Sequence, residues 1–270
     1  MTDHNIHSPV ISNVVHRRLA SVDPAETIHV VDYEVEHPRA IAVFSHGFFV
    51  PGFESNRMFV VAARAFQTAG IRAVLFDYRG SGYSDGSFID VRLGQLQDDL
   101  RQVYNAYRSQ STPTVVVGQS LGSGLAALTA AELPDLAGLV LWGFSAHNYE
   151  RYTRQYLRDA SSEVVYQGNG FPVTQAFVND FRTQDPMDAV AEVHRPVLFV
   201  HGTADDKASI ELPREAVARR SAPSRLVEIP GGTHGFKAQP DELARAIDVS
   251  IEWVLNDPAI SGTPQRRPAI

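Results

Sequence analysis

The sequence contains no cysteine. Disulfides, thiolate zinc sites and a cysteine nucleophile are therefore all excluded. Positive charge is also scarce, since 24 Lys and Arg residues face 31 Asp and Glu residues, for a formal net charge of -7. A general nucleic-acid binder needs a basic surface, so we expect no nucleic-acid partner.

Long apolar runs are absent as well. The most apolar long stretch, 121–144, is interrupted by Glu132, Pro134 and Asp135, so no segment is expected to span a membrane. The opening residues, MTDHNIHSPV, lack the basic region and the apolar run of a secretory signal. We therefore expect a cytoplasmic protein without a membrane partner.

The length and composition favour one globular domain. The chain has 270 residues, of which 44% are hydrophobic and 20% charged, and this is enough to bury one large core. We expect a single domain over 1–270, with a core at about 14–256. The last residues, about 257–270, are polar and rich in proline, and this composition is typical of a tail.

Short β-branched runs alternate with longer helical patterns. From Ala40 onward the strand-like runs, such as AIAVF, are apolar at successive positions, which is typical of a parallel sheet covered on both faces. The two earlier runs alternate, which favours an antiparallel edge. The pattern predicts an α/β fold with a mostly parallel sheet of about eight strands and helices on both faces. The predicted strands are Val14–Leu19, Ile28–Val35, Ala40–Ser45, Arg72–Phe76, Thr114–Gly118, Gly138–Trp142, Pro196–His201 and Arg225–Ile229. The predicted helices are Asn56–Ala69, Leu93–Ser109, Leu121–Glu132, Ile210–Ser221 and Asp241–Asn256.

One long connection interrupts this alternation. About fifty residues, 145–194, separate the sixth and seventh predicted strands, and a plain crossover needs far fewer. The connection contains a helical stretch, NYERYTRQYLRDA, and a predicted hairpin around Gln167–Gly170. We interpret 145–194 as a small lid inserted after the sixth strand.

The pattern Gly-x-Ser-x-Gly occurs twice, as GYSDG at 82–86 and as GQSLG at 118–122. A nucleophilic serine of this type sits on a sharp strand-to-helix turn, where the next backbone N–H can bind a developing oxyanion. GQSLG lies between a buried-type strand and a helical pattern, whereas the residues after GYSDG start no helix. Ser120 is therefore the predicted nucleophile, and Ser84 is predicted to be a turn residue.

A serine nucleophile needs a histidine base and a carboxylate that orients it. Asp205 and Asp206 follow the strand PVLFVHG; Asp205 is the first candidate and Asp206 the alternative. His234 follows the next strand in GGTHGF and is the predicted base. His46 and His201 also end strands, but their His-Gly pairs favour a structural role in shaping the turn.

Other residues are candidates for binding the substrate. The oxyanion is expected to be bound by the backbone N–H groups of Leu121 and Phe48, with Phe49 as the nearest alternative. Phe49 and Gln119 flank the predicted site, and His147 lies at the base of the predicted lid.

The helical stretch of the lid carries Tyr149, Tyr152 and Tyr156 on one face and arginines on the other. The tyrosines are therefore candidates for lining a substrate pocket. The alternative is ordinary amphipathic packing, with the arginines in solvent.

Six motifs follow one another over about 40–254: SHGF at 45–48, ESNRMF at 54–59, FDYRGSGYSDGSF at 76–88, VVVGQSLGSG at 115–124, VLFVHGTADD at 197–206 and GGTHGF at 231–236. Together they resemble the motifs of the α/β-hydrolase superfamily, in particular of small-lid esterases such as the cinnamoyl and feruloyl esterases and the serine aminopeptidase-like lipases. The resemblance implies an α/β-hydrolase fold and a structural role for Asp77 and for the loop with Ser84. The segment GFFVPG departs from relatives, which often carry a small residue after Gly-Phe.

These observations predict a serine hydrolase that cleaves a carboxylic ester through an acyl-enzyme, without a metal or cofactor. The substrate is expected to be a small acyl compound, and the protein a monomer or homodimer. Two alternatives stay open, because one fold serves many functions. The same triad could serve a thioesterase or an acyltransferase, or the protein could be a non-catalytic member that binds a ligand.

Overall fold

The computed structural model of this chain describes residues 13–48, 50–156, 164–168, 171–239 and 241–261, with side chains at all of these positions except 155, 156, 164–168 and 261. Ten strands lie within these ranges: β1 Val14–Ala20, β2 Thr27–Tyr33, β3 Ala40–Ser45, β4 Ile71–Phe76, β5 Thr114–Gln119, β6 Leu136–Trp142, β7 Val164–Gly168, β8 Phe171–Thr174, β9 Val197–Gly202 and β10 Ser224–Ile229. The α-helices there are α1 Met58–Thr68, α2 Leu93–Tyr107, α3 Leu121–Thr129, α4 Asn148–Tyr156, α5 Gln175–Asp180, α6 Pro186–Glu192, α7 Glu211–Arg219, α8 Glu242–Asn256 and α9 Pro258–Ser261. Within the same part of the chain, no helix combines the length and apolar character needed to cross a bilayer.

Eight of the strands form one sheet in the order β1-β2-β4-β3-β5-β6-β9-β10. The pairs β1/β2 and β2/β4 are antiparallel, and the other neighbours are parallel. The predicted α/β architecture, with about eight strands and an antiparallel edge, is therefore confirmed. The parallel strands all end at one edge of the sheet, so the loops after β3, β5, β6, β9 and β10 meet there.

Helices cover both faces of the sheet. On one face α1 and α8 bury residues such as Phe59 and Trp253 against the apolar side chains of the strands. On the other face α2 and α3 bury Leu100, Leu125 and their neighbours. The two apolar layers explain why the central strands are hydrophobic at successive positions instead of alternating.

Helix α1 begins two residues later than the sequence predicts. Asn56 and Arg57 have φ values of 55° and 58°, in the left-handed region, and therefore cannot belong to the helix. Residues Ser55–Arg57 form a separate short turn instead. This turn positions Glu54 beside the carboxyl edge of the sheet, as described below.

The segment between β6 and β9, which we call the insert, contains α4, the antiparallel pair β7/β8, α5 and α6. The predicted helical stretch forms α4 up to Tyr156, and residues 157–163 lie outside the described part. The predicted hairpin is present as β7 and β8, whose connection at 169–170 is likewise outside it. The insert is attached to the main domain at α2, where Arg92 Nε donates to Asp180 Oδ2 at 2.8 Å.

A short helix lies within the stretch expected to be a C-terminal tail. Helix α9 follows α8 directly, and the side chain of Ile260 is only 5% exposed. A Cβ on Gly138 would lie 2.5 Å from Ile260 Cδ1 and 2.9 Å from Trp253, so this glycine makes room for both side chains. Burial of the Ile260 side chain stabilises this short helix after Asn256.

Candidate active site

Ser120 lies at the turn between the end of β5 and the start of α3. Its φ of 52° and ψ of -121° are unusual for a residue with a side chain, and such strain is common at functional sites. The backbone N–H of Ser120 donates to Trp142 O at 3.0 Å, and its carbonyl accepts from Ser123 Oγ at 2.5 Å. These bonds hold the turn at the carboxyl edge of the sheet.

The glycines around Ser120 are required by close packing of the backbone. A Cβ on Gly118 would lie 2.5 Å from Gly122 O, and a Cβ on Gly122 would lie 2.0 Å from Ser45 O. Both distances are far below a normal contact, so a side chain at either position would force the strand and helix apart. This packing explains the Gly-x-Ser-x-Gly spacing at 118–122 in physical terms.

Ser84, in the other copy of the pattern, has a structural role. Its hydroxyl donates to Asp77 O at 2.6 Å and accepts the backbone N–H of His29 at 2.8 Å. The side chain of Asp77 accepts the backbone N–H of Gly52 at 2.6 Å. Ser84 and Asp77 therefore tie the loop after β4 to its neighbours, as the sequence predicts.

His234 and Asp205 are paired at the same edge of the sheet. His234 Nδ1 lies 2.7 Å from Asp205 Oδ2, and the Asp205 carboxylate also accepts the N–H groups of Lys207 and Ala208 at 2.8 Å each. Because an ionised carboxylate can only accept, Nδ1 of His234 carries the proton in this pair. In the neutral ring the Nε2 atom is then unprotonated and available as a base.

Asp205 is held in its charged form. Burial by itself would raise the pKa of Asp205, but hydrogen bonds from His201 and His234, the charge interaction with His234 and the backbone bond from Ala208 outweigh burial. The pKa of Asp205 consequently lies well below its usual range. Asp206, the alternative acid, is instead 71% exposed at its side chain and lies 3.4 Å from Lys207 Nζ. Thus Asp205 is the carboxylate that the fold joins to His234.

His201 lies beside this pair and contacts the carboxylate of Asp205. Its side chain is fully buried, and Nε2 lies 2.8 Å from Ala208 O and 3.3 Å from Asp205 Oδ2. A backbone carbonyl only accepts, so Nε2 carries the proton and donates. The sequence predicts a structural role for His201 but does not reveal its contact with Asp205.

Two neighbours position the His234 imidazole. Gly143, directly after β6, has a φ of 52°, and a Cβ there would lie 3.3 Å from both Cε1 and Nδ1 of His234. Gln119 Nε2 donates to the backbone carbonyl of His234 at 3.1 Å. Gln119 was predicted to contact substrate, and the structure also gives it this role in holding the histidine loop.

Ser120 and His234 line one cavity of about 520 Å³. The other described residues that line it are Gly47, Phe48, Val50, Glu54, Ser55, Met58, Gln119, Ala204, Asp206, Lys207, Thr233, Gly235 and Lys237. The cavity therefore combines an apolar wall with several charged groups, which is the usual composition of a small-molecule site. Within the described ranges, no group of three or more His, Asp and Glu side chains is arranged to hold a metal ion.

Glu54 is a buried carboxyl in this cavity that the sequence analysis did not identify. It is only 3% exposed and accepts the backbone N–H groups of Gly47 and Ser55, the latter at 3.1 Å. Burial raises the pKa of Glu54 to about 7, although the two backbone bonds act in the opposite direction. Glu54 begins the motif ESNRMF, but the sequence does not reveal its burial, which depends on residues brought in by the fold.

The two predicted oxyanion donors flank Ser120. Leu121 is the first residue of α3, so its N–H has no carbonyl four residues earlier within the helix. Phe48 follows β3 and lines the cavity. Its ring stacks against Tyr152 and Phe177 of the insert, with centroid distances of 5.7 and 5.2 Å. The loop after β3 is thereby packed between Ser120 and the insert.

Tyr149 and Tyr152 of α4 do not line the cavity that contains Ser120. Tyr152 is 2% exposed and packs in the aromatic cluster around Phe48, while the guanidinium of Arg182 lies 5.0 Å from the ring centre of Tyr149. Neither tyrosine is among the described residues that line the cavity. Phe49 and the side chain of Tyr156 lie outside the described part of the chain. The position of Tyr152 corresponds to the amphipathic-packing alternative.

His147, at the start of the insert, contacts one carboxylate of the insert and one of α7. Its Nδ1 lies 2.9 Å from Asp185 Oδ2, and its Nε2 lies 3.6 Å from Glu215 Oε2. Partial burial would lower the pKa of His147, but the two carboxylates outweigh burial and raise it. His147 is not among the described residues that line the cavity with Ser120.

His46 is also structural, as predicted. Its Nδ1 lies 2.8 Å from Gly47 O, and its Nε2 accepts the backbone N–H of Tyr78 at 3.1 Å. This pattern requires the neutral ring, and burial lowers the pKa of His46 to about 4.

Several known proteins resemble this chain in sequence. Residues 36–164 match the family model Hydrolase_4, described as serine aminopeptidase, S33. An uncharacterized protein of Mycobacterium tuberculosis is 27% identical over 204 residues, which cover 74% of this chain and 65% of that protein. The chain thus spans less than two thirds of the length of this relative. A monoacylglycerol lipase of Mycolicibacterium smegmatis is 31% identical over 110 residues, or 39% of this chain and 38% of the lipase.

A solved structure shares the whole architecture. Est1E from Butyrivibrio proteoclasticus with bound ferulic acid superposes with a TM-score of 0.76 at 20% identity, over 89% of this chain and 98% of Est1E. At this level of identity the likeness concerns the fold. The sheet order and these matches together show the α/β-hydrolase fold, in agreement with the motifs in the sequence.

Proposed function

We propose that this protein is a serine hydrolase that cleaves a carboxylic ester through an acyl-enzyme. The observation that carries the proposal is one shared cavity. It contains Ser120 on a strained strand-to-helix turn and His234, whose Nδ1 is bonded to the buried carboxylate of Asp205. This is the set of groups that nucleophilic acyl transfer requires.

The reaction assigns one role to each group. Ser120 Oγ attacks the acyl carbon while His234 Nε2 takes its proton, and Asp205 stabilises the resulting imidazolium. The backbone N–H groups of Leu121 and Phe48 bind the oxyanion, each contributing about 3 kcal/mol. His234 then gives the proton to the leaving alcohol as the ester bond breaks. Water attacks the acyl-enzyme in the same way and releases the acid and the free serine.

The comparisons support an ester as substrate. The matched relative from Mycolicibacterium smegmatis is a monoacylglycerol lipase, and the superposed Est1E structure holds ferulic acid, a carboxylic acid. A cavity of about 520 Å³ fits a small acyl compound of this kind.

A fluorophosphonate probe and a panel of aryl esters with acyl chains of different length test the proposal. The wild-type protein is expected to be labelled at Ser120 and to hydrolyse at least one ester, and Ser120→Ala to lose both properties while it still folds. The loss of turnover should be on the order of 10³-fold or more. Ser84→Ala serves as the matched control, because the hydroxyl of Ser84 is bonded within its turn.

Two results would contradict the proposal. Ester hydrolysis that persists in Ser120→Ala would exclude Ser120 as the nucleophile. Absence of labelling in a folded wild-type protein would favour a non-catalytic ligand binder.

Added alcohols and amines as competing acceptors separate hydrolysis from acyl transfer, since an acyltransferase would form the new ester or amide.

A further inference from the structure

The chain contains only two lysines, Lys207 and Lys237, and the other 22 of its 24 Lys and Arg residues are arginines. Both lysines line the cavity that contains Ser120. Lys207 lies two residues after Asp205, on the loop that follows β9. Lys237 lies three residues after His234, on the loop that follows β10. The two ammonium groups of the chain's lysines are thus concentrated at one site.

Neither lysine is neutralised strongly by the protein. The pair Lys207–Asp206 is 3.4 Å long with side chains 62% and 71% exposed, and a pair so exposed to water contributes little. Lys237 is exposed and belongs to no ion pair within the described residues; its backbone N–H donates to Thr233 Oγ1 at 3.3 Å. Both side chains can therefore bind an anion that enters the cavity.

Three carboxyl groups lie in or next to the cavity, and the exposed Asp206 is the one that pairs with a lysine. Burial raises the pKa of Glu54 to about 7, so its negative charge is reduced at neutral pH. The carboxylate of Asp205 is fully buried and bonded to His234. In a chain with a formal charge of -7, the two lysines concentrate positive charge at this cavity, and Lys237 has no carboxylate partner among the described residues, so an anionic group of a ligand can bind there.

The lysines lie on the side of the leaving group. In the proposed reaction His234 donates its proton to the leaving atom, so the leaving group must lie beside the imidazole. Lys237 is on the same loop as His234, and Lys207 is on the neighbouring loop with Asp205. We infer that the substrate is an ester or thioester whose leaving group carries a carboxylate or phosphate, which Lys207 and Lys237 bind. This inference rests on the proposed function and specifies the substrate class of the same site.

Two matched substrate pairs test the inference and separate the two kinds of anion. For a carboxylate, 4-nitrophenyl acetate is compared with 3-carboxy-4-nitrophenyl acetate. For phosphates, S-acetyl-N-acetylcysteamine is compared with acetyl-coenzyme A. Within each pair the acyl group is the same, so the ratio of kcat/KM for the anionic and the neutral substrate measures the preference for the anion.

The ratio is measured for wild type and for two double variants. The alanine variant carries Lys207→Ala and Lys237→Ala, and the arginine variant carries Lys207→Arg and Lys237→Arg. We expect the alanine variant to lower the ratio by about tenfold for at least one pair, because two charge contacts are lost. The arginine variant should keep most of the preference, and added salt should weaken it in wild type. Arg225→Ala is the matched control, since Arg225 is exposed near the start of β10, at the opposite edge of the sheet.

The possible failures are distinguishable. If hydrolysis of the neutral esters depends on Ser120 but both ratios are the same in wild type and the alanine variant, the inference is wrong and the proposed function stands. If no substrate is hydrolysed in a Ser120-dependent manner, the proposed function is wrong. Equilibrium dialysis of 3-carboxy-4-nitrophenol and of coenzyme A then decides the inference, which requires tighter binding to wild type than to the alanine variant.

Discussion

The guanidinium of Arg151, in the insert, donates a hydrogen bond of 3.0 Å to the backbone carbonyl of Lys207. The N–H of the same peptide group, on Ala208, donates to Asp205 Oδ1 at 2.8 Å. Arg151 is itself fixed by a bond of 2.9 Å to Ser145 Oγ, just after β6. A single peptide group therefore connects a cation on the insert to the carboxylate that orients His234.

Replacing Arg151 by Met should impair catalysis without touching the reacting groups. Loss of the bond to Lys207 O frees the loop after β9, and a small displacement of Asp205 would lower kcat by roughly tenfold. Steady-state kinetics on an aryl ester should show a larger change in kcat than in KM, with partial recovery in Arg151→Lys. Arg154→Met is the control, because Arg154 is exposed and its described contact is a bond of 3.5 Å to Glu150 O. Equal losses in both variants would argue against this connection.

Asp205→Asn should reduce kcat by roughly 10³-fold to 10⁴-fold, because an amide at this position stabilises the wrong tautomer of His234. Asp206→Asn is the matched control and should retain most of the activity, since its carboxylate is exposed and makes no bond to His234. Kinetics of both variants on the same ester check the assignment. A greater loss in the Asp206 variant would transfer the role of the acid to that residue.

Glu54 should make stability depend on pH in the direction expected for a buried acid. Below pH 4.5 the carboxyl is protonated in the folded and unfolded states alike. As pH rises from 4.5 to about 7, the unfolded chain releases this proton while the folded protein keeps it. Glu54 therefore lowers the free energy of unfolding by about 3 kcal/mol across this window.

Glu54→Gln removes this titration. Urea unfolding at several pH values should show that the stability of the variant, measured relative to wild type, rises by about 3 kcal/mol from pH 4.5 to 7.5. His46 titrates in both proteins, so its effect cancels in the difference. Glu252→Gln, on the exposed face of α8, should show no such rise. A pH-independent difference between Glu54→Gln and wild type would contradict the shifted pKa of Glu54.

Gly143→Ala should impair both stability and activity. The residue has a φ of 52°, where a side chain costs about 1 kcal/mol, and the new methyl group would press against the His234 ring. Gly94→Ala in α2 is the control, because a Cβ there meets nothing within 4 Å and alanine favours a helix. Thermal unfolding and ester hydrolysis should separate the two variants. Normal kcat in Gly143→Ala would mean that the imidazole has room to move.

Much of the fold was predictable because it depends on local patterns. The runs AIAVF at 40–44 and VVV at 115–117 are apolar at every position because helices cover both faces of the sheet, and this burial is readable from a few adjacent residues. The start of α1 was not predictable in this way. Asparagine tolerates the left-handed conformation better than most residues, but arginine does not, so the pair at Asn56 and Arg57 is not readable from the residue types.

The candidate site was likewise predictable where it depends on local sequence and not where it depends on tertiary packing. The strand-turn-helix context of Ser120 is contained in about fifteen consecutive residues, so the sequence alone distinguishes it from Ser84. The sequence also predicts His234 and an acid after β9, because parallel strands bring their carboxyl ends to one edge. Which of the two acids pairs with His234 depended on the tertiary structure, since Asp205 and Asp206 differ only in what surrounds them.

By itself, then, the sequence determined how the main strands and helices follow one another along the chain, the turn at Ser120 and the loops that carry an acid and a base. Only the tertiary structure decided that Glu54 is buried, that Tyr152 packs against Phe48, and that both lysines line one cavity. The reason is physical. Helix and strand propensity arises between residues close in the chain, whereas burial, pKa shifts and local charge arise between residues that only folding brings together.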